Sequence, residues 1–152
     1  MGKKKKKKIR PLALCVFRRG DKIFVAEGHD PAKNQTFYRP IGGGIEFGER
    51  AAETVAREVM EEINAEVADL VYIGTLENIF TYESNPGHEI CLMFDGRFVD
   101  ETLNADDYSV IGEDDGEVLF TATWKPLSFF RAGNAPLYPD GLLNLLDDIS
   151  SN

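Results

Sequence analysis
No apolar run in this 152-residue chain approaches the roughly 18 residues that a membrane-spanning helix needs. Nor does a hydrophobic core region follow the start, as it would in a signal peptide, so cytoplasmic residence is the expectation. The chain has only two cysteines. Cys15 lies in LALCVF and Cys91 in EICLMF, settings that suit small buried hydrophobes and supply too few thiols for a four-ligand zinc site. Basic residues are scarce once the run Lys3–Lys8 is set aside, leaving 11 against 26 acidic ones. A body so acidic argues against a nucleic acid duplex as partner, because phosphate contacts need clustered lysine and arginine, and it suits a divalent cation better. Internal repeats and interdomain linkers are also lacking.

The lysine run reads as a solvated, disordered tail over residues 1–8, with no stable membrane attachment. Myristoylation at Gly2 fails because Lys6 stands where the motif wants Ser or Thr. Residues 9–152 are long enough for one domain with one core, and a homodimer is left open.

Local patterns suggest how that domain is built. RPLALCVFR and KIFVAE, joined by RGD, read as a β-hairpin, and GHDPAKNQT as a loop. YRPIGGGIEFGE is a glycine-punctuated connection too irregular for a helix. From Arg50 to Ile63, residues Ala52, Val55, Ala56, Val59 and Ile63 recur at helical spacing and mark the core face. VADLVYIGTLENIFTY reads as one or two strands and EICLMFDGRFV as another, with SNPGH as the turn between them. NADDYSVIGEDDGE reads as an acidic loop, EVLFTATW as a strand and KPLSFF as a proline-started turn or short helix. A last helix near Asp140–Ile149 points Leu142, Leu143, Leu145 and Leu146 inward. Strands on both sides of one long helix predict a sheet covered by helices.

The puzzle is REVMEEINA, residues 57–65. Glu58, Glu61 and Glu62 share a border of the apolar stripe near the helix C-terminus, where they repel one another and oppose the helix dipole. Clustered carboxylates partly removed from water need a strong positive charge, and hard oxygen donors select Mg²⁺, with Mn²⁺ as a substitute. Gly42, Gly43, Gly44 and Gly48 just before the helix allow close backbone approach.

From Gly43 to Ala65 the chain resembles the Nudix box of the Nudix hydrolase family. Gly43, Glu49, Arg57, Glu58, Glu61 and Glu62 match at fixed spacing over 23 residues. Asn64 replaces the usual glycine, a mild change because asparagine is second to glycine in a left-handed helix cap. Ala65 replaces an aliphatic residue, and Pro40 falls one position early, leaving Ile41 in its place.

The resemblance implies an α/β/α sandwich with a central mixed β-sheet. It also implies a pyrophosphohydrolase that splits a nucleoside diphosphate linked to another moiety by metal-activated water attacking phosphorus. Glu58, Glu61 and Glu62 map onto the family's metal ligands, Glu49 helps with metal or with orienting Arg57, and Arg57 looks structural. The general base stays open between a box glutamate and a later carboxylate, with Glu89, Glu113 and Glu117 as candidates. Gly43, Gly44, Arg39 and Tyr82 are candidate substrate contacts. Tyr82 lies 17 residues past the box, where members that cleave diadenosine polyphosphates often carry tyrosine. Members that cleave ADP-ribose share a proline near that place, where this chain has Thr81. Dinucleoside polyphosphates, nucleotide sugars and nucleoside triphosphates are the small-molecule partners considered.

Other residues have plainer readings. His29 and His88 lie in stretches read as loops, where a lone histidine usually faces solvent, although His88 is also weighed as a contact to substrate or to a metal-bound water. Trp124 suits the core better than base stacking, and Phe80, Tyr82 and Tyr72 are stacking candidates that strands more often bury. The rival reading is a non-catalytic module that senses a nucleotide in the same groove.

Overall fold
The computed structural model describes residues 7–114, 116 and 118–150. Lys7 and Lys8 are exposed and belong to no strand, while the rest of the lysine run lies outside the described residues.

The chain opens with β1 (Ile9–Arg19) and β2 (Lys22–Asp30), followed by β3 (Gln35–Arg39) and β4 (Ile41–Gly44). Helix α1 (Ala51–Ile63) comes next, then the long hairpin of β5 (Val67–Tyr82) and β6 (Asn85–Phe98). A 3-10 turn (Glu101–Asn104) leads to β7 (Ser109–Asp114), β8 (Val118–Pro126), α2 (Leu127–Arg131) and α3 (Leu142–Ser150). The strands form one sheet in the order β5-β6-β1-β2-β8-β7, with β3 on β2 and β4 on β1. Only β1 and β6 run parallel among these pairs, so the sheet is mixed.

Strand β1 explains the layering. Ala13, Cys15 and Phe17 alternate with Leu12, Leu14 and Val16, and all six are buried. A strand buried on both faces reads as a continuous apolar run and must be covered on both sides. One face packs Val55, Val59 and Ile63 of α1 with Phe17, Phe24, Phe98 and Trp124. The other packs Phe130, Leu142 and Leu146 of α2 and α3 with Leu14, Val25 and Met93. The expected α/β/α arrangement is therefore the one observed. Burial pushes the Cys91 thiol up to about 12, and both cysteines are free and buried.

Several local expectations need correction. GHDPAKNQT is mostly strand: Gly28–Asp30 pair with Gln35–Phe37, so the loop is confined to residues 31–34. YRPIGGGIEFGE contains β4, whose glycines pair with Leu12–Leu14 of β1. SNPGH is not the β5–β6 turn. That turn is Glu83–Ser84, both at positive φ as a two-residue hairpin requires, with Pro86 and Gly87 already in β6. The acidic loop contains β7. On α1, Ala56 faces solvent, and Thr54 takes its place in the buried set because its hydroxyl is satisfied by Glu49 and the Arg50 carbonyl.

β1 and β2 share only two register pairs, Arg18↔Ile23 and Arg19↔Lys22. Beyond them each strand follows its own partners, and the gap between them becomes the principal cleft.

Candidate active site
Helix α1 enters the site through β4 and a tight loop. Gly42 has φ +154°, and a Cβ there would meet the Ala13 carbonyl oxygen at 2.1 Å, so no side chain fits. A Cβ on Gly43 would meet the Glu58 carboxyl carbon at 2.5 Å, which means that the Glu58 carboxylate rests against this glycine. The loop then closes through the Glu49 N–H donating to Glu46 O at 2.9 Å. At the far end Asn64 holds the left-handed cap at φ 54°, ψ 44°, and its N–H donates to Met60 O. The replacement of glycine there keeps the turn.

Arg57 answers much of the repulsion. Its Nε and Nη2 grip Glu49 at 2.8 and 2.9 Å, its Nη1 reaches Glu58 at 2.9 Å and Glu61 at 3.2 Å, and Nη2 also donates to Gly44 O at 3.1 Å. A bidentate guanidinium supplies both charge and direction. The carboxylates thus do not depend on a cation alone to sit together, as the sequence suggested, because the arginine among them does part of that work. Arg57 points into its own helix and loop, in keeping with a structural role.

The Arg57 hydrogen bonds, and then that from the Thr54 hydroxyl at 2.6 Å, hold the Glu49 carboxyl down at about 2, against 4.5 for an ordinary glutamate. Because the folded-state value is the lower one, Glu49 stabilises the fold above about pH 4.5, and this contribution disappears as pH falls toward about 2. Acid titration of cation-free protein should therefore show a stability loss in that window that is smaller in Glu49→Gln. Superimposable pH profiles for the two proteins would contradict the role given to this network.

Two hollows meet at α1. A cavity of about 360 Å³ is lined by Glu58, Glu61, Glu62 and Glu113 with Gly116. The larger cleft, about 850 Å³, is also lined by Glu58, together with Gly43, Gly44, Arg39, Glu89 and Tyr82. Glu62 is buried, 6% exposed, whereas the sequence placed it on the helix border. Among the described residues no three acidic, histidine or cysteine side chains already converge as a metal cage. The donor set nonetheless fits a hard cation: four carboxylates face one small hollow, and one of them rests on a glycine that keeps the space open.

The remaining sequence candidates separate. Glu89 lies in the cleft with its side chain 15% exposed, 3.6 Å from Arg10. Glu113 lies at the small cavity and Glu117 outside the described residues. His29 lines the cleft from β2, and its ring nitrogen meets the Thr36 hydroxyl at 3.3 Å. His88 sits in β6 rather than a loop, opposite Ile9 and Ile79, and does not line the cleft. Trp124 is core, with its indole N–H donating to Leu103 O at 2.9 Å. Tyr72 is away from both hollows, with its hydroxyl 2.6 Å from that of Thr75.

Sequence reasoning missed Phe37, Asn78 and Tyr138, which also line the cleft. Phe37 lies over Gly28 and Phe80 over Gly87, each across a strand pair, as a Cβ on either glycine would strike the ring. Such aromatic–glycine pairs were legible only once register was known. The mouth is tied by the Tyr82 hydroxyl donating to His29 O at 3.3 Å and Lys33 Nζ donating to Thr81 O at 2.7 Å.

A sequence model of the NUDIX domain matches residues 8–140. The NAD-capped RNA hydrolase NudC of Pseudomonas aeruginosa (strain LESB58) is 32% identical over 92 residues, covering 60% of this chain and 30% of that protein. The NAD-capped RNA hydrolase NudC of Erwinia tasmaniensis is 40% identical over 65 residues, 43% of this chain and 24% of that protein. The chain spans less than a third of the length of these curated relatives. Among solved structures, a NUDIX hydrolase from Nitrosomonas europaea matches with a TM-score of 0.67 at 22% identity, covering 95% of this chain and 90% of the other. A MutT NUDIX hydrolase from Burkholderia pseudomallei gives 0.53 at 15% identity over 80% of this chain and 86% of the other. At such identities the likeness speaks for the fold.

Proposed function
Because the chain belongs to the NUDIX domain family, we propose that it is a divalent-cation-dependent hydrolase that splits a nucleoside diphosphate linked to another moiety. The observation that carries this reading is the double position of Glu58, which lines both the carboxylate hollow and the cleft that leads away from it. A phosphate anhydride lying at that junction would have the acidic cluster on one side and an aromatic cleft on the other.

Glu58, Glu61 and Glu62 are the residues that would hold Mg²⁺ or Mn²⁺, whose chemistry there is to neutralise phosphate oxygens and make water more acidic. The chain's own contribution is positioning. Arg57 fixes Glu58 and Glu61, Gly43 leaves room for the Glu58 carboxylate, and Arg39 offers positive charge to an anionic ligand in the cleft. Glu89 in the cleft and Glu113 at the hollow are the carboxylates outside α1 from which a proton acceptor would act. The names of the curated relatives add a dinucleotide-type diphosphate, as in an NAD cap, to the dinucleoside polyphosphates suggested by Tyr82.

The test is a substrate panel with Mg²⁺ or Mn²⁺ containing NAD, dinucleoside polyphosphates, nucleotide sugars and nucleoside triphosphates. Hydrolysis of at least one, abolished by chelation, is the expected result. Cation-dependent binding that raises the melting temperature without product would overturn catalysis in favour of a sensor.

A further inference from the structure
Asn78 lies in the middle of β5, only 5% exposed, with its side chain at the wall of the large cleft. Its Oδ1 accepts the backbone N–H of Asp140 at 3.1 Å, which fixes which end of the amide faces inward. The Nδ2 group has no hydrogen-bond partner among the described residues and is not among the polar atoms sealed from solvent, so it is reachable at the cleft that Asn78 lines. A pre-set donor on a nearly buried side chain is costly to cover with a ligand that does not accept from it.

Its neighbours specify what would accept. Asn78 is registered with Glu89 of β6, and Glu89 with Arg10 of β1, so a polar row crosses the sheet there. Two residues along β5, on the same face, the Phe80 ring lies over Gly87. Phe37 flanks the cleft from the other half of the sheet, braced edge-on by Tyr82 and Tyr138 at 6.0 and 5.7 Å. An aromatic ring beside a fixed donor suits a flat heterocycle with a ring nitrogen or carbonyl at its edge better than a sugar.

We infer that Asn78 is a specificity-determining residue that donates to an edge acceptor of a planar base lodged beside Phe80. Ligands that present a base to this end of the cleft are then preferred over ligands that present only a sugar there. The inference rests on the proposed reading of the cleft as a nucleotide site, but it is tested by binding alone.

Calorimetry on the full chain with Mg²⁺ at pH 8 would compare AMP, GMP and UMP with ribose 5-phosphate. Wild-type protein should bind at least one nucleotide about tenfold or more tighter than ribose 5-phosphate. Asn78→Asp keeps an oxygen for the Asp140 N–H and removes both donors but adds a charge, and Asn78→Leu removes them without one, so the ratio of nucleotide to ribose 5-phosphate affinity should collapse in both. An unchanged preference in either variant, or none in wild type, overturns the inference. As a measurement independent of any variant, the Asn78 side-chain amide resonances should shift with the preferred nucleotide and not with ribose 5-phosphate; equal response to both also overturns it. Loss of preference in a protein that hydrolyses nothing would sink the proposed reaction and leave the role of Asn78 standing.

Discussion

Glu62→Gln should lower kcat by about 10³-fold while leaving the melting temperature close to that of the wild type. The two halves of this expectation come from the same fact, the burial of the Glu62 carboxylate beside the hollow it shares with Glu58, Glu61 and Glu113. A neutral isostere of the same shape keeps the packing of this buried side chain, so the fold should survive the change. The same change removes a charged oxygen donor from the proposed cation site. Metal-ion stabilisation of phosphoryl transfer is worth several kcal/mol, and at about 1.36 kcal/mol per tenfold this amounts to roughly three decades. Glu58→Gln should behave alike in rate, though not in stability, because it also removes the charge assistance from the 2.9 Å hydrogen bond that Arg57 donates to it. Steady-state kinetics with a Mg²⁺ titration and thermal melts would decide the matter, and wild-type turnover in both variants would remove these residues from the mechanism.

Gly43→Ala should cost about 10² in kcat/KM with little change in stability. Gly43 is not in the left-handed region, so alanine can adopt its backbone, yet the new Cβ would fall 2.5 Å from the Glu58 carboxyl carbon. The atom in the way is the end of a flexible side chain, which can swing aside and take the carboxylate out of position. A displacement of about 1 Å in a catalytic arrangement is worth about a hundredfold. If this is the cause, the substitution should cost almost nothing in a Glu58→Gln background, a coupling that a double-mutant cycle measures directly. Fully additive losses would place its effect elsewhere.

Much of this site was readable because its chemistry is local. The six matching positions lie within 23 residues, and a helix, a cap and a glycine loop are set by neighbours in sequence. Asn64 was correctly read as a left-handed cap for this reason. The misreadings were non-local. Gly42–Gly44 look like loop until they are laid against Leu12–Leu14, some thirty residues earlier. Pro86 and Gly87 look like a turn, but Phe80 covers Gly87 from the opposite strand, and the turn falls at Glu83–Ser84, a pair with little turn signature. Asn78 passed unnoticed because one asparagine in an apolar strand says nothing about which way its amide points. The grip of Arg57 on Glu49, Glu58, Glu61 and Gly44 emerged only in three dimensions.

The brief pairing of β1 with β2 has a mechanical consequence. Two blades joined near one end and tied across the other by Tyr82 and Lys33 form a caliper. The width of the space between them is thus set at both ends by long-range contacts, a property that no single loop in the chain controls.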